Sequence, residues 1–452
     1  MLNRKAFIGS AVAFAGALGA AGKDGKSGNR VSLKAEVPVS DEVDVLVVGG
    51  GPAGVCAAVS AAREGKRVFL AEETGAFGGA ATAAGVPAFC RFGDGKRILV
   101  SGVGLEVRKM VSREYPVSHD FVPINAEDLK LAYDKVVAES GVRFSFFTKL
   151  CAVEKEGRRM SAAVFVSKRG LFAVRAKIFV DATGDADLAA RAGFETWTLP
   201  KDDLQSQSLC AIFANVGPIY DKYKAFVLNE ILKPEFGAGL RHVFGWWAPV
   251  VGAHDLYFYA GTRITDCDPS VAEDLTQVLL EARRQIRKIV DAVNRKYPMP
   301  DGKRFTLVSL ASDLGLRESR HIKAKYRVTE KDVLYGRHFE DCIAKGSYRV
   351  DIHEGRGIKF RYLDGKEQKM EAQADGKVAW TEGRWRTDSD PRPTWYEIPL
   401  RALQPEKAEN LICAGRMIDC TREAFGALRV MVNCNQMGEA AANHVVRQLQ
   451  CA

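Results

Sequence analysis

The side chains with the most to offer a reaction lie in two places. Arg317 and Arg320 stand three residues apart within Leu314–Tyr326, and Asp351 and His353 stand two apart at the end of Tyr348-Arg-Val-Asp-Ile-His353. On a helix, positions i and i+3 share a face, so a helical Leu314–Tyr326 would present both guanidiniums together. Such a pair could grip a carboxylate or stabilise negative charge developing in a transition state. On a strand, positions i and i+2 share a side, which would set a carboxylate against an imidazole for proton transfer. Both pairs also have plain structural readings, as partners of internal acids or as pins of an inter-domain contact. His321 and His242 are weaker candidates. Trp246, Trp247, Tyr257 and Tyr259 could stack on a planar substrate or pack a sheet.

These groups need a scaffold, and residues 43–72 supply its clearest element. Val43 to Val48 is a short apolar run that reads as a buried parallel strand. Gly49, Gly51 and Gly54 form a G-x-G-x-x-G, with Pro52 and Ala53 opening a helix of small residues that ends near Gly65. A second strand, Arg67 to Ala71, ends in Glu72. Gly49 allows the tight turn, Gly51 lets backbone approach a pyrophosphate, and Gly54 lets helix pack on strand. The helix N-terminus offers N–H donors and a positive dipole end to phosphates, and Glu72 can accept from ribose hydroxyls. Strand, glycines, helix, strand and acid within one unit predict a dinucleotide site.

Three later segments favour FAD over a nicotinamide as the dinucleotide. Phe77-Gly-Gly-Ala-Ala-Thr82 places Gly78, Gly79 and Thr82 where flavoproteins bring backbone and a hydroxyl to the ribityl chain and ring. Ile178 to Val180 runs into Asp181-Ala-Thr-Gly184-Asp185, a strand and turn that return beside the dinucleotide. Asn410-Leu-Ile-Cys-Ala-Gly415-Arg416 ends a third strand, and Arg429 precedes a small-residue helix whose Asn435, Gln436 and Gly438 could stabilise charge at flavin N1 and O2.

The combined pattern resembles the FAD-dependent oxidoreductase family whose best-known relative is the flavin domain of heterodisulfide reductase. It is more distantly similar to fumarate reductase-type flavoproteins. The matching segments run from about Val43 to Val446 and include Leu314 to Arg320, Tyr348 to His353, Ile398 to Leu403 and Glu423 to Arg429. The resemblance implies an α/β fold with a discontinuous Rossmann-type FAD-binding domain, FAD as cofactor, and redox chemistry. The chain departs from those relatives in its cysteines. Its ten include no C-x-x-C dithiol and no C-x₂-C-x₂-C run for an iron–sulfur cluster, and no spacing supports a metal site.

Length and composition bound the rest. The 452 residues are 47% hydrophobic and 27% charged, which suits a folded globular chain with ample core. The net charge of +9 is below the density of a nucleic-acid binder. Residues 1–40 hold six basic and two acidic residues; Arg4 and Lys5 precede an uncharged Ala6–Ala21 and small-residue cleavage sites. This is signal-peptide architecture, resembling a twin-arginine signal with Lys5 in the second position, and it predicts export to the periplasm. No later stretch reaches 18 uninterrupted apolar residues, so no membrane span is expected in the mature chain.

The expected organisation is residues 1–40 as export signal and linker, 41–196 and 397–452 as the two parts of the FAD domain, and 197–396 as an inserted α+β substrate or cap domain. Within the insertion, Leu256–Ala260 reads as a strand and Thr276–Tyr297 as an amphipathic helix. Asp364–Pro393 reads as a polar surface excursion without a period. The expected function is hydride transfer between a small-molecule substrate and FAD, with an external electron acceptor. The alternative is an FAD-binding protein that transfers electrons to, or assembles with, a protein partner and has no organic substrate of its own.

Overall fold

The structure, a computed structural model, describes residues 36–112, 121–223, 231–237, 240, 245–253, 255–299, 302–355, 357–375, 377–387 and 393–451. The charged and apolar parts of the leader and His242 lie outside the described residues.

A seven-stranded sheet carries the dinucleotide motif. Its order is Arg143–Ser145, Val68–Ala71, Val39–Val48, Gly170–Asp181, Arg159–Ser167 and Lys149–Glu156, with Leu411–Cys413 also paired to Gly170–Asp181. The first four strands and Leu411–Cys413 run parallel, and the last two add an antiparallel hairpin. The unbroken Val-Leu-Val-Val of the first strand follows from burial on both faces. Val45 and Val47 pack with Ala57, Ala61 and Ala441 on one side. Leu46 and Val48 pack with Phe165, Phe179 and Leu188 on the other. Helix Pro52–Arg63 lies against the closing helix Met431–Cys451, both built largely from small residues on their shared face.

A second sheet, four antiparallel strands in the order Trp246–Pro249, Leu256–Ala260, Ala211–Ala214 and Thr306–Leu310, is covered by helix Ala272–Lys296. That helix begins four residues earlier than its apolar face suggested. Glu273 and Asp274 in its first turn favour the start through the helix dipole. Trp247 pairs with Tyr259, whose ring is buried against Phe213, so these aromatics pack the sheet.

Two expectations are overturned. Asp364–Pro393 is not an unstructured excursion. Lys366–Ala372 and Val378–Arg384 form a hairpin that completes a third sheet with Val350–His353 and Gly357–Arg361. Its outer strand is exposed through most of its length, so burial imposes no alternation of apolar and polar residues and the period-2 signal is erased. Leu314–Tyr326 is not a helix either. Its backbone bonds go to neighbours: Gly315 exchanges bonds with Ser208, Ile322 N donates to Met417 O, and His321–Ile322 pairs with Thr196–Trp197. Among the described residues no helix is long and apolar enough to cross a membrane.

Candidate functional site

A cavity of about 460 Å³ runs along the C-terminal edge of the parallel strands. Gly49, Gly51, Pro52, Ala53, Glu72, Gly79, Gly184, Asp185, Gly415, Arg416 and Arg429 all line it. In this lining the Glu72 carboxylate accepts from the amides of Gly50 at 2.6 Å and Thr74 at 2.7 Å. Burial pushes its pKa above the usual carboxylate value against those bonds. Met431 and Cys434 line it as well, beside Arg416 and Arg429.

The glycines divide by what they make room for. A Cβ on Gly49 would lie 2.5 Å from Ala182 O, and its φ of 99° is itself strained for any other residue. A Cβ on Gly54 would lie 1.8 Å from Gly49 O. Both serve the fold. A Cβ on Gly51 would meet nothing within 4 Å, so the space above it is reserved for something outside the chain. Gly51 is the N-cap of helix Pro52–Arg63, which has no side-chain cap and no acid in its first turn, leaving its amides open to an anion. Arg416 adds to this: Nη2 donates to Asp185 Oδ1 at 3.1 Å, while the buried Nη1 has no partner.

Several expected contacts are taken by the protein itself. Thr82 Oγ1 donates to Phe77 O at 2.6 Å, and a Cβ on Gly78 would strike Thr82 and Tyr133, so this pair locks the turn that presents Gly79. Asp181 accepts from Thr183 N, Thr183 Oγ1 and Ala189 N, and burial pushes its carboxyl up to about 6. It shapes the Gly184 turn from behind. The closing helix starts at Met431, which puts Asn435, Gln436 and Gly438 in its second turn. Gln436 spends its amide on Lys345 N and O. Gly438 lies where a Cβ would stand 2.0 Å from Ala53 O, and Asn435 is buried beside Gly104. Gln436 and Gly438 hold the closing helix in place, while both polar atoms of the buried Asn435 amide are without a partner; the residues that line the cavity from this helix are Met431 and Cys434. Leu275, Thr276 and Leu279 of helix Ala272–Lys296 also reach the cavity, and nothing in the sequence marks them apart from their neighbours.

Arg317 and Arg320 diverge. Arg320 Nε donates to Asp185 O at 3.0 Å and Nη2 contacts Asp187 Oδ1, so it braces the cavity wall from outside. Arg317 Nη1 donates to Ser206 O and to Ser208 Oγ at 2.9 Å, and belongs to a separate charged cluster. There His353 Nε2 lies 3.0 Å from Asp351 Oδ1, and Nδ1 meets Arg263 Nη1. A guanidinium only donates, so Nδ1 is the acceptor and Nε2 carries the hydrogen toward Asp351. Burial drives the His353 pKa well below its ordinary value; Asp351 opposes this, and Arg317 and Arg263 reinforce it. Burial alone would raise Asp351, but His353, Arg429 and Arg349 hold it far below the usual carboxylate range. Both ring nitrogens are engaged, so His353 fixes Arg263 and Asp351 instead of serving as a free acid–base. Arg429 joins the two regions: it lines the cavity while Nη2 lies 3.4 Å from Asp351 Oδ2.

The cavity can hold a dinucleotide, and comparison with known proteins agrees. Residues 44–450 match the family described as FAD dependent oxidoreductase. A digeranylgeranylglycerophospholipid reductase from Methanoculleus marisnigri is 28% identical over 177 residues, which are 35% of this chain and 43% of that protein. The fold is also similar to a geranylgeranyl bacteriochlorophyll reductase-like protein from Thermoplasma acidophilum, at 14% identity and TM-score 0.42 over 91% of this chain and 79% of that one. Flavin-dependent brominase Bmp2 is similar at 13% identity and TM-score 0.43, over 91% and 80%. With a match across nearly all of its described length, this chain belongs to the FAD-dependent oxidoreductase family.

Proposed function

We propose that the protein is an exported, periplasmic flavoenzyme in which residues 197–396 hold a small organic substrate against FAD for hydride transfer. One observation carries the reading: Arg429 lines the FAD cavity and also touches Asp351 of the buried charged cluster. A substrate gripped by that cluster would stand beside one end of the cofactor. FAD supplies a two-electron couple there, taking up or giving back a hydride.

The chain's own residues do the positioning. Glu72 holds the adenosine ribose at one end, and the open amides after Gly51 hold the pyrophosphate. Arg416 and the dipole of the closing helix stabilise negative charge at the other end. Arg320 acts at a distance, through Asp185 and Asp187. Leu275 and Leu279 exclude water from the cavity mouth. The likeness to the flavin domain of heterodisulfide reductase supports the arrangement of the FAD halves, and the charged and apolar leader supports export.

Anaerobic mixing of purified holoenzyme with carboxylates, polyols, amino acids and sugars tests the reading. Bleaching of the flavin band by one class supports it. Reduction by a redox protein partner alone would transfer the assignment to an electron-transfer protein.

A further inference from the structure

The cluster behind Arg429 is short of negative charge. Arg317, Arg349 and Arg429 converge on it, and Asp351 is the carboxylate they share as a neighbour. Arg317 donates to the neutral oxygens of Ser206 and Ser208. Arg349 lies among the rings of Phe121, Tyr348, Phe360 and Tyr362 with Nε unpartnered. Glu318, beside Arg317 in sequence, spends its carboxylate on Gln205 N at 3.2 Å and on His321 Nε2 at 3.4 Å. Guanidiniums remain charged, and like charges gathered out of water are costly unless an anion joins them.

The same place holds unused neutral donors. Ser206 Oγ and Gln205 Nε2 are buried without partners, and both residues bracket His353: Ser206 N donates to His353 O, and His353 N donates to Gln205 Oε1 at 3.2 Å. The Arg429 side chain, with Nε also unpartnered, keeps 13% of its surface open and reaches the cofactor cavity. A cation excess, buried orphan donors and an arginine that also lines the cavity thus occur together here.

We infer that Arg317 and Arg429, with Ser206 Oγ and Gln205 Nε2, seat the carboxylate of an organic acid, which is the substrate class of this enzyme. This rests on the hydride-transfer reading above. A planar guanidinium suits the two oxygens of a carboxylate, and the hydroxyl and amide donors take its remaining lone pairs. The carbon next to the seated group then lies toward Arg429 and the cavity.

Binding is measured apart from turnover. Oxidised holoenzyme is titrated anaerobically with malonate, succinate, malate and benzoate, with the matching amides, and with inorganic phosphate, while the visible flavin band is followed. At least one acid should perturb the band saturably, with its amide and phosphate binding at least about 30-fold more weakly. Arg317→Met should weaken that acid about 30-fold at unchanged FAD occupancy. Ser206→Ala, which removes only the hydroxyl and keeps the Ser206 O that Arg317 bonds, should weaken it by about tenfold. Equal binding of amide and acid, tighter binding of phosphate, no response to any acid, or unchanged affinity in Ser206→Ala and Arg317→Met overturns the inference. Acids that bind while none bleaches the oxidised flavin, and while no unsaturated acid reoxidises the reduced flavin, leave the seat standing and remove the hydride-transfer reading; bleaching by a neutral alcohol without acid binding does the reverse.

Discussion

The carbonyl oxygen of Gly49 occupies the space a Cβ on Gly54 would need, at 1.8 Å. Gly54 is thus required by the Gly49 carbonyl, and Gly49 by Ala182 O and its own φ of 99°, whereas Gly51, between them, is required by no protein contact. Its φ of −67° is open to any residue, and its Cβ position is empty. Gly51→Val should therefore leave the apo-protein within about 0.5 kcal/mol of wild type. FAD affinity should fall at least about 100-fold as the side chain fills the pyrophosphate approach. Gly54→Val should unfold the protein instead. Thermal melts of the apo forms and flavin absorbance after desalting separate the two; a Gly51→Val protein that purifies fully yellow would refute the division of roles.

Gly438 makes the complementary case at the far end of the chain. A Cβ there would sit 2.0 Å from Ala53 O, a backbone carbonyl of helix Pro52–Arg63. Gly438→Ala should cost about 3 kcal/mol by overpacking the contact between the first and last helices. Because Ala53 also lines the cavity, FAD retention should fall with stability. Urea unfolding of the apo-protein with and without the substitution measures this; an unchanged midpoint would show that the helices separate easily.

What could be read from the chain, and what could not, follows from how far apart the interacting residues are. The dinucleotide unit was legible because its strand, glycines, helix and acid are local, within residues 43–72, and each has one geometric task. The return strands at Asp181 and Gly415 were legible for the same reason. Arg317 and Arg320 were not, because their directions depend on bonds they donate to Ser208 and Asp185, more than a hundred residues away. Gln436 and Gly438 misled for a related reason. An amide and a glycine near a helix start suit a flavin, but they suit Lys345 and Ala53 equally, and only packing chooses. Arg263, in contact with His353, stands in a stretch with no motif at all.

Arg320 offers a test of support from outside the cavity. It contacts Asp187 Oδ1 and Asp185 O, while Asp185 also receives Arg416 and Ser319. Arg320→Met keeps the packing volume and removes the charge. The Asp185 turn then retains two of its three side-chain ties, so the expected loss is modest, about tenfold in FAD affinity, or about 1.4 kcal/mol. With FAD saturating, the affinity for an acid ligand should be unchanged, because Arg320 does not reach the Arg317 cluster. Fluorescence titration of the apo-protein with FAD gives the first number, and flavin difference spectra give the second. A variant that keeps its FAD affinity and loses acid binding would place Arg320 at the substrate after all.

The buried state of His353 predicts a pH dependence whose sign can be worked out. Its folded pKa is depressed well below the unfolded value near 6.5, so below that value the unfolded chain takes up a proton that the folded chain refuses. Stability should fall as pH drops through about 6, by up to about 1.4 kcal/mol per pH unit for this one group. His444, also depressed by burial and by Lys325 and Arg447, adds a second slope of the same sign. Asp181 opposes both, since its carboxyl, pushed up to about 6, is protonated earlier in the folded chain than in the unfolded one and stabilises as pH falls. The total curve therefore mixes signs, and the difference between wild type and His353→Asn isolates the histidine. That difference should be flat above pH 7 and should narrow by about 1.4 kcal/mol per unit below pH 6, whatever the substitution costs at neutral pH. Urea unfolding at half-unit pH steps measures it. Parallel curves from pH 7.5 to 5 would mean that His353 titrates normally and that the arginines around it are farther away, or better neutralised, than their contacts imply.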